Sequence, residues 1–343
     1  MERFMKVALI TAPDRIAIRE VSDPSPKPWE ALVKIDACAI CNGTDSKILH
    51  GQFPGMSTYP VLPGHESTGL VVEVGSMVRR YKVGDRVLRP AADPPGIISM
   101  WGGFAEYGLA GDPDAFREAH PDAPLDWRWS MQQVVPPDIP ADEATILITV
   151  KETYSWLKRF GVESGSRVLI LGAGPVSLIY ACWARYFGCE LVAIAARRAD
   201  ARERAKRFGA DQVIDLSAED LGSQAVEITS GRGFDRLVDA VGSSGLLMRS
   251  MQMLATGGRV GVYGVGDATP EGLGQICVPR GGEFTLMVFN PDEAGVHDEV
   301  TTLVSEGKIR PSDFISHRLS LEQIATGFEL VADRQAVKVV VQP

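Results

Sequence analysis

Cysteine is scarce in this 343-residue chain: Cys38, Cys41, Cys182, Cys189 and Cys277 are an odd number, without disulfide-framework spacing, in a chain too long to need one. That points to a reducing compartment, and the cytoplasm is the expected location. Basic residues are in the minority, 35 Lys plus Arg against 44 Asp plus Glu for a formal charge of -9. They are scattered rather than gathered in one block, which disfavours a nucleic-acid or anionic-membrane surface. Long hydrophobic runs are missing too. The longest charge-free stretch, residues 168–184, is interrupted by Gly172, Gly174 and Pro175 and lies at the lower limit of a bilayer span. The apolar run at 7–11 is too short for a leader and reads as a strand. What remains is a soluble globular protein whose partner is a small molecule.

The length exceeds what one hydrophobic core supports, so two domains are expected. Residues 1 to about 150 carry short β-type runs, such as 31–37, 69–74 and 85–88, punctuated by Gly and Pro with little helical periodicity. From about 153 to 290 apolar strands (168–171, 191–195, 212–214, 236–241, 259–263 and 284–288) alternate with helical stretches. That alternation implies an α/β architecture, a doubly wound parallel sheet covered on both faces. After 290 come a helix at 298–306, an extended stretch at 315–319, a helix opened by Ser320 as N-cap, and a last strand at 336–341. The expected division is 1–152 with 291–343 as a β-rich domain, and 153–290 as the parallel-sheet domain. Residues 111–133 are polar and proline-bearing, tipped with Trp127 and Trp129; they read as a surface excursion, either a decorative loop or a lid or oligomer contact.

Strand 168–171 runs directly into Gly172-Ala173-Gly174-Pro175-Val176-Ser177 and then a helix. Such a turn aims backbone N–H groups and the positive helix end at a pyrophosphate. Gly-x-Gly alone is weak evidence, but strand, helix and a second strand some twenty residues on agree. That second strand ends in Ala196-Arg197-Arg198. An NAD site places an acidic side chain there; two guanidinium groups suit a 2′-phosphate instead, so NADP(H) is expected over NAD(H). The bland alternative is that these arginines begin a solvated helix face. Val241, Gly264 and Val265, at later strand ends, are expected to border the nicotinamide.

Several motifs then appear in order: residues 26–35 (PKPWEALVKI), Cys38 to Asp45 (CAICNGTD), Pro63-Gly64-His65-Glu66, Val74-Gly75, residues 83–87 (VGDRV) and 102–107 (GGFAEY). Together they resemble the zinc-dependent medium-chain dehydrogenases/reductases, especially the sorbitol, threonine and secondary-alcohol dehydrogenases, through nearly the whole chain. The resemblance implies a GroES-like β-rich catalytic domain beside a Rossmann domain. It implies an NAD(P)-dependent alcohol dehydrogenase, dimeric or tetrameric, acting on a small alcohol, polyol or amino-alcohol and its ketone or aldehyde. It also implies that Cys41 and His65 bind one catalytic zinc, with Glu66 as a ligand or an exchanging neighbour. Thiolate, imidazole and carboxylate are all good zinc ligands, and a catalytic site keeps a further position open. Thr44 would then take the first proton, with Lys47 or His50 as the continuation toward water.

Three departures stand out. Asn42 is an apparent insertion that moves Thr44 one residue later than the relay hydroxyl of relatives. The position where relatives place a further Cys, Asp or Glu is Ile148, which cannot bind metal. No cysteine lies between Cys41 and Cys182, so no structural zinc is expected. Glu152, one helical turn after Ile148 if this segment is helical, is expected either to compensate at the metal or simply to face solvent or pair in the neighbourhood of Lys151. Two alternatives stay open: a zinc-free quinone or enoyl-type reductase of the same superfamily, which Ile148 favours, and a dinucleotide-binding protein without catalysis.

Overall fold

A computed structural model describes residues 3–268, the backbone of 283–285, and 291–343. The chain divides into two compact units: Met1–Ile148 with Glu293–Pro343, and Thr149–Asp292. Cys277 and the end of the strand expected at 284–288 lie outside the described residues.

The first unit is β-rich. Arg15–Ser22, Phe4–Ala12, Val61–Leu62 and Ile98–Ser99 form one sheet in that order. The second has seven strands, in the order Ile315–Ser320, Lys338–Gln342, Glu30–Ala39, Glu66–Val74, Arg86–Leu88 and Val134–Val135, with Tyr107–Gly111 also paired to Glu30–Ala39. Alternation explains why these strands hold. Along Phe4–Ala12, Ala8 and Ile10 enter one core with Cys38, Phe104, Phe328 and Val339, whereas Val7 and Leu9 enter another with Ile35, Leu62 and Ala105. Ser320 caps not the C-terminal helix itself but the short 3₁₀ turn Leu321–Gln323 that leads into it, through a capping box with Gln323, and Gln323 is the N-cap of the helix Ile324–Ala332. Ile324, Phe328 and Val331 of the helix Ile324–Ala332 then fall on one face and fill the first of these cores.

Helical content before residue 150 exceeds the sequence expectation. Thr44–Leu49 and Pro113–Ala119 are helices, and a 20-residue helix, Ala141–Phe160, carries the chain out of the first unit. The excursion at 111–133 is also better anchored than its polarity suggests. Asp112, Ala115 and Gln132 are buried, and Trp129 packs edge-on against Phe116 with ring centroids 5.0 Å apart. Only Trp127 of the two tryptophans is truly exposed, at 67%.

In the second unit six strands pair in parallel in the order Gln212–Asp215, Leu191–Ala196, Arg167–Leu171, Phe234–Asp239, Leu254–Val262 and Glu283–Thr285. Consecutive strands first step one way from Arg167–Leu171 and then the other. The C-terminal ends of Arg167–Leu171 and Phe234–Asp239 therefore flank the switch point at which doubly wound sheets bind ligands. The central strand Arg167–Leu171 is apolar and buried from Val168 onward, as expected of a parallel strand covered on both faces. Among the described residues no helix is long and apolar enough to cross a membrane.

Candidate metal centre and dinucleotide site

The metal candidates are delivered by turns at the ends of the central strands of the first unit. Glu30–Ala39 ends just before Cys41, and Glu66 opens the strand Glu66–Val74 that pairs with it, Ala39 opposite Glu66. Gly64 makes the approach of His65 possible. Its φ of +105° is open to glycine, and a Cβ there would sit 2.7 Å from the Phe104 amide nitrogen and 3.0 Å from the Cys38 Sγ. The result is that one donor atom each from Cys41, His65 and Glu66 lie within 4.8 Å of one another.

Around these three the structure adds two residues that the motif reading did not assign. Asp45 is fully buried; its Oδ2 accepts the Cys41 amide at 2.8 Å, and its Oδ1 lies 3.5 Å from the His65 Nδ1. Lys338, buried in the last strand, ion-pairs with Oε2 of Glu66. A lone lysine in the otherwise apolar run 336–341 was the available signal, because an ammonium buried there needs an anionic partner. Burial opposes the charged imidazole of His65, but Asp45 and the Cys41 sulfur outweigh it and hold the ring's pKa well above the ordinary value. Burial likewise opposes the Lys338 ammonium, and Glu66 and Cys41 outweigh it. The pocket thus attracts positive charge.

The donor set fits a divalent zinc: one thiol, one imidazole and one carboxylate on a common locus. The buried Nδ1 of His65 and Oδ1 of Asp45 lack a hydrogen bond that meets strict geometry, although they face each other. A ring nitrogen turned to a buried carboxylate is the kind of partner that would orient a metal-binding histidine.

Thr44 begins the helix Thr44–Leu49, and its amide donates to the Cys41 Sγ at 3.4 Å. Lys47 is half-buried on the same helix. His50 is exposed and turned to Asp14, Nδ1 to Oδ1 at 2.6 Å. Ile148 is buried. Glu152 does not face solvent; its Oε2 accepts a 2.8 Å hydrogen bond from the Tyr263 hydroxyl within the second unit. It is absent from the metal-competent group found among the described residues.

In the second unit Gly172 ends its strand with φ +96°, its amide donating to Ala195 at 2.9 Å; a Cβ would lie 2.9 Å from Val241 Cγ2. Gly174 caps the helix Pro175–Tyr186 with Pro175 as its first residue and Val176 next, and a Cβ on Gly174 would meet nothing within 4 Å. The helix N-terminus therefore has open space before it. Ala196 is buried at its strand end. Arg197 is exposed, with no ion-pair partner among the described residues, whereas Arg198 donates to Asp200 at 2.9 and 2.6 Å. The Val241 and Gly242 amides are held by Asp239 Oδ1 at 2.8 and 3.0 Å, and Gly264 closes on Gly242 beside the half-buried Val265.

A β-rich unit bearing a Cys-His-Glu cluster and a parallel-sheet unit bearing a glycine-turn helix define an NAD(P)-dependent alcohol oxidoreductase. Two family models agree: Alcohol dehydrogenase GroES-like domain matches residues 27–116, and Zinc-binding dehydrogenase matches residues 175–281. The chain belongs to the zinc-dependent medium-chain dehydrogenase/reductase superfamily. It is 27% identical to D-arabinitol dehydrogenase 1 of Uromyces fabae, over 92% of this chain and 90% of that one. It is 25% identical to the NADP-dependent isopropanol dehydrogenase of Thermoanaerobacter brockii, over 92% of each. A zinc-binding dehydrogenase from Sinorhizobium meliloti 1021, solved bound to NADP, superposes with a TM-score of 0.78 over 100% of both chains at 27% identity.

Proposed function

We propose that this protein is an NADP(H)-dependent dehydrogenase with one catalytic zinc, held by Cys41, His65 and Glu66, that interconverts a small alcohol and its carbonyl compound. The observation that carries the reading is the three-donor cluster within 4.8 Å, backed by Asp45 against His65. Zinc there would act as a Lewis acid toward the substrate oxygen, and the nicotinamide would take or give the hydride.

The chain's own residues do the positioning. Asp45 fixes the imidazole and the Cys41 backbone together. The Lys338 ammonium balances the anionic ligands. Thr44 is the first proton acceptor, and Lys47 and His50, at intervals of three along and just past one short helix, lead toward solvent. Gly172, Gly174, Pro175 and Val176 receive the pyrophosphate, while Val241, Gly264 and Val265 border the nicotinamide.

NADP(H) preference rests on the buried Ala196 in place of an acid and on Arg197, which has no ion-pair partner among the described residues. Relatives named for D-arabinitol and isopropanol support a polyol or secondary alcohol as substrate. A homodimer or homotetramer follows the resemblance. The buried Ile148 favours a metal-free reductase, yet nothing in such chemistry calls for a clustered thiol, imidazole and carboxylate. Glu152 reads as Tyr263's hydrogen-bond partner rather than as a ligand. Zinc content and turnover of secondary alcohols with both cofactors test the proposal.

A further inference from the structure

One pocket of the first unit is not explained by zinc or cofactor. It measures about 580 Å³ and lies between Met100–Trp101 on one wall and residues 124–128, at the end of the 111–133 excursion, on the other. That volume is typical of small-molecule sites.

Its aromatic walls are fixed in place. Trp101 has φ +70°, an unusual conformation for so bulky a residue, and the Arg89 guanidinium lies 5.0 Å from its ring. Arg89 itself is buried and ion-paired with Glu293, Nε to Oε1 at 3.0 Å. Trp127 meets Trp101 edge to face, ring centroids 5.5 Å apart, but leaves 67% of its surface exposed. The rest of the Trp127 indole thus stays open to a ring of another molecule beside the Trp101 contact.

The charges at the rim are already matched. Arg128 donates to Asp126 from Nε and Nη2 at 2.9 and 2.7 Å, and to Asp93 from Nη1 and Nη2 at 3.0 and 2.8 Å. These ion pairs lock the turn bearing Trp127 and, among the described residues lining the pocket, leave no cation for an anionic ligand. The buried Ser99 hydroxyl on the pocket wall has no hydrogen-bond partner among the described residues. The pocket therefore suits a neutral ring with at most one polar substituent.

The Met100 amide donates to Leu62 at 2.8 Å and that of Gly103 to Gly64 at 2.8 Å, so the segment bearing Trp101 runs beside the chain that delivers His65. We propose that the Trp101–Trp127 pocket is a subsite for the ring of a neutral cyclic or aromatic alcohol, making ring-bearing alcohols the preferred substrates. This rests on the oxidoreductase reading above, whose relatives' names suggest acyclic substrates.

The test uses the full-length, zinc-loaded protein with two secondary alcohols, 1-phenylethanol and 2-propanol. With NADP⁺, kcat/KM should favour 1-phenylethanol by at least about tenfold, as expected for one good apolar contact. The ratio should fall by about tenfold in Trp127→Ala and be largely kept in Trp127→Phe. A merely structural tryptophan would lower both rates together. Separately, 1-phenylethanol titrated into cofactor-free protein should change indole emission saturably in the wild type and in Trp127→Phe, where Trp101 still lines the pocket, and not in Trp127→Ala. A ratio insensitive to Trp127→Ala, or no saturable emission change, overturns the subsite. Turnover of 2-propanol without the emission change would overturn the subsite and leave the oxidoreductase reading standing. The emission change without oxidation of either alcohol would keep the ring site and overturn that reading.

Discussion

Lys338, in the last strand of the chain, ion-pairs with Glu66, the residue after the candidate zinc histidine, and both side chains are buried. Removing one partner of a buried pair leaves an uncompensated charge, typically at a cost of about 3–5 kcal/mol. Lys338→Met should therefore destabilise the metal-free protein by roughly that amount. Zinc supplies the missing positive charge, so it should raise the melting temperature of Lys338→Met more than that of the wild type. Thermal melts with and without saturating zinc check this; equal shifts in the two proteins would show that the lysine does not act on the metal locus.

Arg197 and Arg198 are adjacent in sequence but not equivalent. Arg198 is tied to Asp200, while Arg197, beside Ala196, has no ion-pair partner among the described residues. Arg197→Ala should raise KM for NADP by about 10–100-fold, the equivalent of a lost charged hydrogen bond worth about 1.5–3 kcal/mol. Arg198→Ala should do less, and KM for NAD should move little in either. Initial-rate kinetics with both cofactors decide it; wild-type kcat/KM that is equal or better with NAD would sink the NADP assignment.

Asp112 anchors the excursion that bears Trp127. Its carboxylate accepts the amides of Arg79 and Arg80 at 2.8 and 2.9 Å and caps the helix Pro113–Ala119 through Asp114 and Ala115, both at 3.1 Å. Burial works against the charge, but these amides outweigh it and lower the pKa below the ordinary carboxylate value. A depressed pKa stabilises the fold above the unfolded value, near pH 4, and that contribution is lost as pH falls through the native value. Asp112→Asn should cost about 1–3 kcal/mol at pH 7. The gap between variant and wild type should close as pH drops below about 4. Urea unfolding from pH 7 to pH 3 measures it; a gap constant with pH would mean that Asp112 acts without its charge.

How much of this was legible in the sequence follows from what each element depends on. The parallel strands were readable because each is a short apolar run set off by turns, and their observed bounds differ from the expected ones mostly by a residue or two at each end. Strand Leu254–Val262 starts five residues before the expected 259. Gly257 and Gly258 interrupt the apolar pattern and hide its first half, while parallel pairing with Phe234–Asp239 carries the strand through them across a register shift. Cys41, His65 and Glu66 were found through local motifs. Lys338 was not, since its partner is 272 residues away and only the pairing of Lys338–Gln342 with Glu30–Ala39, itself paired to Glu66–Val74, brings them together. Glu152 does lie on a helix, but its partner Tyr263 comes from another strand end, which helical periodicity cannot reveal. The excursion at 111–133 looked polar because its anchors, Asp112 and Gln132, are polar groups satisfied by backbone.

One bound zinc is the central requirement of the proposed chemistry, and elemental analysis paired with turnover on the same sample measures it most directly. Protein purified without added metal or chelator should carry about one zinc per chain, as expected for a single catalytic ligand set that keeps one position open. Cys41→Ser and His65→Ala should lose the metal and the alcohol oxidation together with the fold intact by circular dichroism, while Glu152→Gln should keep its zinc. Full activity in protein stripped of zinc, or two zincs per chain, would contradict the account.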